Sequence, residues 1–170
     1  MGCPRPRGRG TPSGADRTDR TGRYEPRHAV IIPDLNVLVH ASNRQSVFHD
    51  RAREWWFSAL NGIEPVGLAS VVTTGFVRLT TSVSALSPVT VEAALSALDT
   101  WFSSPVVRWI GPTEQHVQAM RSLLTPARRG GRLVNDAHLA ALALEHGGTI
   151  YSQDTDFAAF PGVRWVNPLA

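Results

Sequence analysis

The chain contains no lysine. All 17 of its basic side chains are arginine, which fits coding from a GC-rich genome. Cysteine is almost absent too, with Cys3 alone. One thiol builds neither a disulfide nor a cysteine zinc site within a chain, and such a composition suits a reducing cytoplasm. No apolar run approaches the roughly 20 residues of a membrane span. The N-terminus carries arginines without an apolar h-region, so no secretory signal is expected. The opening MGCPRP has Pro6 where an acylation signal requires Ser or Thr. The phosphate-cradling G-x-x-x-x-G-K-[ST], a post-strand G-x-G-x-x-G, the G-x-S-x-G elbow and H-E-x-x-H are all missing. That removes support for an NTPase, a dinucleotide enzyme, a serine hydrolase of that type and a zinc protease.

What is present is enough for one domain with a proper core, at 170 residues and 42% hydrophobic content. The formal charge of +3 is unevenly placed. Residues 1–28 hold seven arginines against three acids, leaving ten arginines and eleven acids for the rest. The high isoelectric point is therefore weak evidence that the folded part binds nucleic acid. Residues 1–28 are rich in Gly, Pro, Arg and Thr and are expected to be disordered, since they cannot bury enough apolar surface to offset ordering entropy. An arginine arm on RNA phosphates is one reading of them, and a misplaced translation start is another.

From Ala29 the pattern changes. AVII predicts a buried strand ending at Pro33 and Asp34, followed by a helix from about Asn36. HDRAREWWFSALNG predicts a helix, with Ala52, Trp55, Trp56, Ala59 and Leu60 at spacings of three and four. PVGLA reads as a strand, and SVVTTGFVRLTTS as a helix with Val72, Phe76 and Leu79 on one face. Thr90 is placed to cap VTVEAALSALDTWFSS. PVVRWIGP is a third strand, and TEQHVQAMRSLLTPARRGG a helix running into a basic loop. Asn135 is placed to cap DAHLAALALEHGG, which Gly147 and Gly148 close. TIYS and VRWVN complete five strands. Strands alternating with helices predict an α/β domain over residues 29–170 with a mostly parallel sheet.

In such sheets a site lies beyond the carboxyl ends of the strands. Asp34 follows the first strand, and Asp154 and Asp156 follow the fourth. Asp136 opens a helix. Carboxylates from several elements make a natural Mg²⁺ or Mn²⁺ site, and a cation would offset their mutual repulsion. Each also has a structural reading. Asp34 can cap a helix, Asp136 sits well in a first turn, and Asp154 and Asp156 suit a tight turn.

The segments IIPDLNVLVHAS, TTGFVRLTTS and NDAHLAALALEHGGTIYSQDTDFAAFPGVRWVNPL, in this order, resemble the PIN domain, and specifically VapC-type toxins of bacterial toxin–antitoxin pairs. The resemblance covers about residues 29–170. It implies a three-layer α/β/α fold and a Mg²⁺-dependent endoribonuclease, with Mn²⁺ as a substitute, that leaves a 5′-phosphate and a 3′-hydroxyl. It implies that Asp34, Asp136 and Asp154 hold the metal and that Asp156 completes the catalytic set. It places Asn36 beside the first aspartate. Arg78 is a candidate for the substrate phosphate, since its guanidinium fork fits one. The implied partners are a VapB-like antitoxin, RNA of the tRNA or rRNA class and a second copy in a homodimer. One departure stands out: Gly75 occupies about the place where many PIN domains carry a glutamate. It keeps open an alternative, a catalytically weak PIN-like module that binds RNA or a partner. Glu54 and Glu64 are the nearest acids in sequence. A Mg²⁺-dependent phosphatase is disfavoured, because D-L-N lacks that class's second aspartate.

The remaining candidates read as structural. His138 is expected in a structural role, and the tryptophans Trp55 and Trp56 in core packing, with an antitoxin grip as a second role. Arg128, Arg129 and Arg132 flank a loop shortly before Asp136, which makes phosphate guidance conceivable.

Overall fold

The computed structural model describes residues 29–85, 87–127, 131 and 133–170. The N-terminal arm and the loop arginines Arg128, Arg129 and Arg132 lie outside the described residues. Five strands form one all-parallel sheet: β1 (Ile31–Pro33), β2 (Val66–Ala69), β3 (Val107–Ile110), β4 (Thr149–Tyr151) and β5 (Arg164–Val166). Their order is β3-β2-β1-β4-β5. Six helices join them among the described residues: α1 (Leu35–Ser42), α2 (His49–Leu60), α3 (Ser70–Thr80), α4 (Val91–Phe102), α5 (His116–Ala127) and α6 (Leu133–Glu145). Helices on both faces of a parallel sheet make the expected α/β/α architecture.

The strands are short apolar runs because both faces are covered. β1 and β2 are buried at every residue, as a central parallel strand requires. Pro33 sits at the last position of β1, where its missing N–H ends the ladder. Ile31, Ile32 and Pro33 pair with Thr149, Ile150 and Tyr151, and the Asp34 amide adds a bond to the Tyr151 carbonyl at 2.9 Å. The chain fills the sheet from β1 to β3 on one side, then returns to place β4 on the other. The carboxyl ends of β1 and β4 thus flank the point where strand order reverses, which is where open parallel sheets bind ligands.

Most helix ends follow their sequence signals. The Thr90 side chain accepts from the Ala93 amide and caps α4. Gly147 adopts φ +63° just past α6, a conformation that costs a residue with a Cβ about 1–2 kcal/mol. One expectation fails. Asn135 is not a cap, because α6 starts two residues earlier at Leu133 and Asn135 lies within its first turn. Leu79 shares the face of Val72 and Phe76, as its spacing requires, but keeps 39% of its exposure because it stands in the last turn of α3. Trp56 is buried edge-on to Trp101 at 5.3 Å, whereas Trp55 is half-buried against Tyr151 at 5.1 Å.

Candidate active site

Each of the two adjacent strands β1 and β4 hands over to a capping aspartate. Asp34 Oδ1 accepts from the Leu35 amide at 2.7 Å and starts α1. Asp154 Oδ1 accepts from the Asp156 amide at 2.9 Å and starts a 3₁₀ turn, Thr155–Ala159. Capping and site roles are therefore compatible, since each cap uses one carboxylate oxygen.

The second oxygen of Asp34 is held by side chains. Ser152 Oγ donates to Asp34 Oδ2 at 2.7 Å, and Asn36 Nδ2 donates to the same oxygen at 2.7 Å. Asn36 Nδ2 also donates to Ser152 Oγ at 2.9 Å, while its Oδ1 accepts from the Gln153 amide at 3.3 Å. The Asp154 amide donates to Ser152 Oγ at 2.9 Å. Ser152 is fully buried, and its own carbonyl accepts from Trp165 Nε1 at 2.9 Å. One hydroxyl thus ties the end of β1 to the turn after β4. Burial pushes the Asp34 carboxyl above its ordinary range. The bonds from Ser152 and Leu35 oppose that, and repulsion by Asp154 adds to it, leaving the net direction upward.

Asp136 reaches the same region from the first turn of α6, where the helix dipole favours a negative charge. Carboxylate oxygens of Asp136, Asp154 and Asp156 all lie within 4.8 Å of one another. This trio differs from the metal set expected from sequence, with Asp156 in place of Asp34. Asp34 and Asp136 in turn line a cleft of about 590 Å³ together with Leu35, Thr74, Gly75 and Arg78. Asp136 is common to both groupings. An all-oxygen donor set of this kind suits a hard divalent cation.

Gly75 and Arg78 come from α3, on the wall that carries no acid. A Cβ on Gly75 would stand 2.7 Å from Leu35 Cδ2. A larger side chain at this position therefore requires Leu35 to shift. Glu54 and Glu64 belong neither to the acidic trio nor to the cleft lining. His138 bonds His116 rather than an acid of the cluster, through Nδ1 at 2.7 Å. Ser152 lies in the TIYSQDTDF part of the third matching segment, but sequence reasoning gave it no role. Its signal was a small hydroxyl placed directly after an apolar strand, facing an acid after the neighbouring one. Leu35 gave no signal.

The family profile described as PIN domain matches residues 31–163. The chain is 43% identical over 140 residues to Ribonuclease VapC37 of Mycobacterium tuberculosis, covering 82% of this chain and 97% of that protein. It is 34% identical over 141 residues to Ribonuclease VapC33 of the same species, covering 82% and 99%. Among solved structures, VapBC2 from Rickettsia felis, bound to a DNA fragment from its promoter, superposes with a TM-score of 0.62 at 17% identity. That match covers 81% of this chain and 98% of the other. Mycobacterium tuberculosis VapC20, described as a sarcin-ricin loop cleaving toxin, gives 0.58 at 24% identity, covering 79% and 98%. A buried parallel sheet, acids gathered where its strand order reverses and relatives of this similarity converge: the chain belongs to the PIN domain family, in its VapC-type branch.

Proposed function

We propose that residues 29–170 form a metal-dependent endoribonuclease, the toxin of a type II toxin–antitoxin pair, with Asp34, Asp136, Asp154 and Asp156 as its catalytic set. The observation that carries this reading is that Asp136 both gathers with Asp154 and Asp156 within 4.8 Å and lines one cleft with Asp34, whose carboxyl Asp154 also repels. Asp136, Asp154 and Asp156 would hold Mg²⁺, or Mn²⁺ in its place, with Asp34 beside them. When bound, the ion lowers the pKa of a water and screens the charge on a phosphodiester. Asn36 and Ser152 orient Asp34, so Asn36 acts on substrate through that acid. Arg78 faces the acids across the cleft and pairs with an RNA phosphate. The water oxygen bonds to phosphorus as the bond to the 3′-oxygen breaks, giving a 5′-phosphate and a 3′-hydroxyl.

The partners that go with this reading are a VapB-like antitoxin, a structured RNA of the tRNA or rRNA class and a second copy in a homodimer, all in the cytoplasm. Among the described residues no helix is long and apolar enough to cross a membrane.

A second reading is favoured by Leu35 and Gly75, which leave that wall of the cleft without an acid. In it the domain binds RNA or a partner and cuts weakly. The test is cleavage of a mixed pool of structured cellular RNAs, with Mg²⁺, Mn²⁺ or EDTA, beside an Asp34→Ala, Asp136→Ala double variant. The nuclease reading expects metal-dependent cutting that EDTA and the variant abolish. Folded, antitoxin-free protein that binds the pool without cutting it supports the binding module. Cutting that survives in the variant overturns the proposed site.

A further inference from the structure

The seam between α5 and α6 holds a polar chain that the proposed reaction does not use. Thr113 Oγ1 donates to Glu145 Oε1 at 2.6 Å. His116 Nδ1 meets Glu145 Oε2 at 2.9 Å, and His116 Nε2 meets His138 Nδ1 at 2.7 Å. With Nδ1 of His116 donating to the carboxylate, its Nε2 carries a lone pair when the ring is neutral, so His138 is the donor. The His116 and Glu145 side chains keep 9% and 6% of their exposure. Withdrawing such groups from water is costly, so a buried polar bridge is better understood as specifying geometry than as adding stability.

The geometry at stake is the position of α6 along its own axis. Its buried residues are Leu133, Leu139 and Leu142 together with Ala137, Ala140, Ala141 and Ala143. Four of these seven offer only a methyl group, so they interlock less with the neighbouring elements than larger side chains would. His138 and Glu145 stand seven residues apart, about two turns, on the same side of the helix. His116 bridges both.

We propose that His116 is a positioning residue that fixes the axial position of α6 and so holds Asp136 against Asp154 and Asp156. The proposal rests on the cation-site reading above. A slide of one residue moves Asp136 by about 1.5 Å, whereas ligand distances in a metal site hold to about 0.2 Å.

The test uses the full chain, with Mn²⁺ binding measured by calorimetry and the amide shifts of Asp154 and Asp156 measured by NMR in metal-free protein. His116→Leu removes both arms of the bridge. His116→Gln keeps an acceptor for His138 and a donor for Glu145. Val107→Ala, on β3, is a control for general destabilisation. The expected result is a loss of about tenfold or more in Mn²⁺ affinity for His116→Leu, as for other outer-shell partners. His116→Gln recovers most of it, and Val107→Ala binds as wild type despite a lowered Tm. Wild-type affinity in folded His116→Leu overturns the proposal, as does loss of affinity in Val107→Ala in step with its Tm. If His116→Leu does not fold, His138→Leu removes one arm and is read the same way. If the wild type binds no Mn²⁺, the cation reading fails and the amide shifts judge the bridge alone. Shifts displaced by the seam variant but not by Val107→Ala uphold it, and unmoved shifts overturn it.

Discussion

Ser152 couples the two halves of the acidic cluster through a single oxygen, which donates to Asp34 and accepts from Asn36 and from the Asp154 amide. Ser152→Ala leaves that buried amide and one Asp34 oxygen short of partners, and a deserted buried polar group costs about 1–3 kcal/mol. Urea unfolding should register a loss of that size. It should also raise the Asp34 carboxyl further, because the Ser152 bond is a force holding it down. RNA cleavage should then fall more than stability does. An unchanged kcat/KM in the folded variant would remove Ser152 from the site. Gly75 makes a different point, because its neighbour rather than its backbone demands it. A Cβ there meets Leu35 Cδ2 at 2.7 Å, the far end of a side chain that can shift, so the cost lies toward the low end of the about 1–3 kcal/mol of overpacking. Helix propensity returns only about 1 kcal/mol when Ala replaces Gly. Gly75→Ala should therefore be neutral to destabilising alone. In a Leu35→Ala background the clash is gone and the same change should stabilise by up to about 1 kcal/mol. A double-mutant cycle in urea without such coupling would show that Leu35 does not close the position.

At the scale of elements, the seam between α5 and α6 sets the acid side of the stability curve. Burial and the nearby His116 push the His138 imidazole below its ordinary 6.5, against the attraction of Glu145. Burial alone would push the Glu145 carboxyl up, but bonds from Thr113 and His116 and the attraction of His116 outweigh it and hold it down. Both groups are depressed in the folded state. The unfolded chain therefore binds protons first, and stability falls as pH drops, below about 6.5 for His138 and below about 4.5 for Glu145. The urea midpoint should decline on acidification from pH 7, and His138→Gln should flatten the upper part of that decline. An identical slope in the variant would sink this assignment. The same seam marks the limit of what sequence revealed. Short apolar runs announced all five strands, and aspartates after β1 and β4 pointed to the candidate site, because apolar runs and strand ends are local signals. Asn135 was misread as a cap because Asn before an apolar periodic run is a start signal, whereas burial of Leu133 favours a helix that begins two residues earlier. The pairing of His116 with His138 and Glu145, and of Leu35 with Gly75, spans 22 to 40 positions. Nothing in a linear pattern predicts which side chains meet across such separations.

For the whole molecule, the balance between folding and function is set by charge gathered in one place. Residues 29–170 are near neutral, with ten arginines and eleven acids, so no global excess of charge opposes compaction. The strain is local instead: Asp136, Asp154 and Asp156 stand within 4.8 Å of one another, and Asp34 is pushed upward by burial and then by Asp154. A raised carboxyl contributes stability that is present at low pH and lost as pH rises through its folded value, so ionising Asp34 weakens the metal-free fold toward neutrality. A divalent cation that bound only the folded cluster would reverse that sign. At a hundredfold excess over its dissociation constant, Mg²⁺ or Mn²⁺ should add about 2.7 kcal/mol. The gain should shrink as pH falls, because a proton on Asp34, held more tightly than on an ordinary aspartate, removes a negative charge beside the cluster that attracts the ion. Thermal unfolding with and without Mn²⁺ at pH 7.5 and 5.5 measures both effects. Asp136→Ala should abolish the gain at either pH. A cation shift of equal size at the two pH values would separate Asp34 from the ion and leave the binding to the trio of Asp136, Asp154 and Asp156 alone.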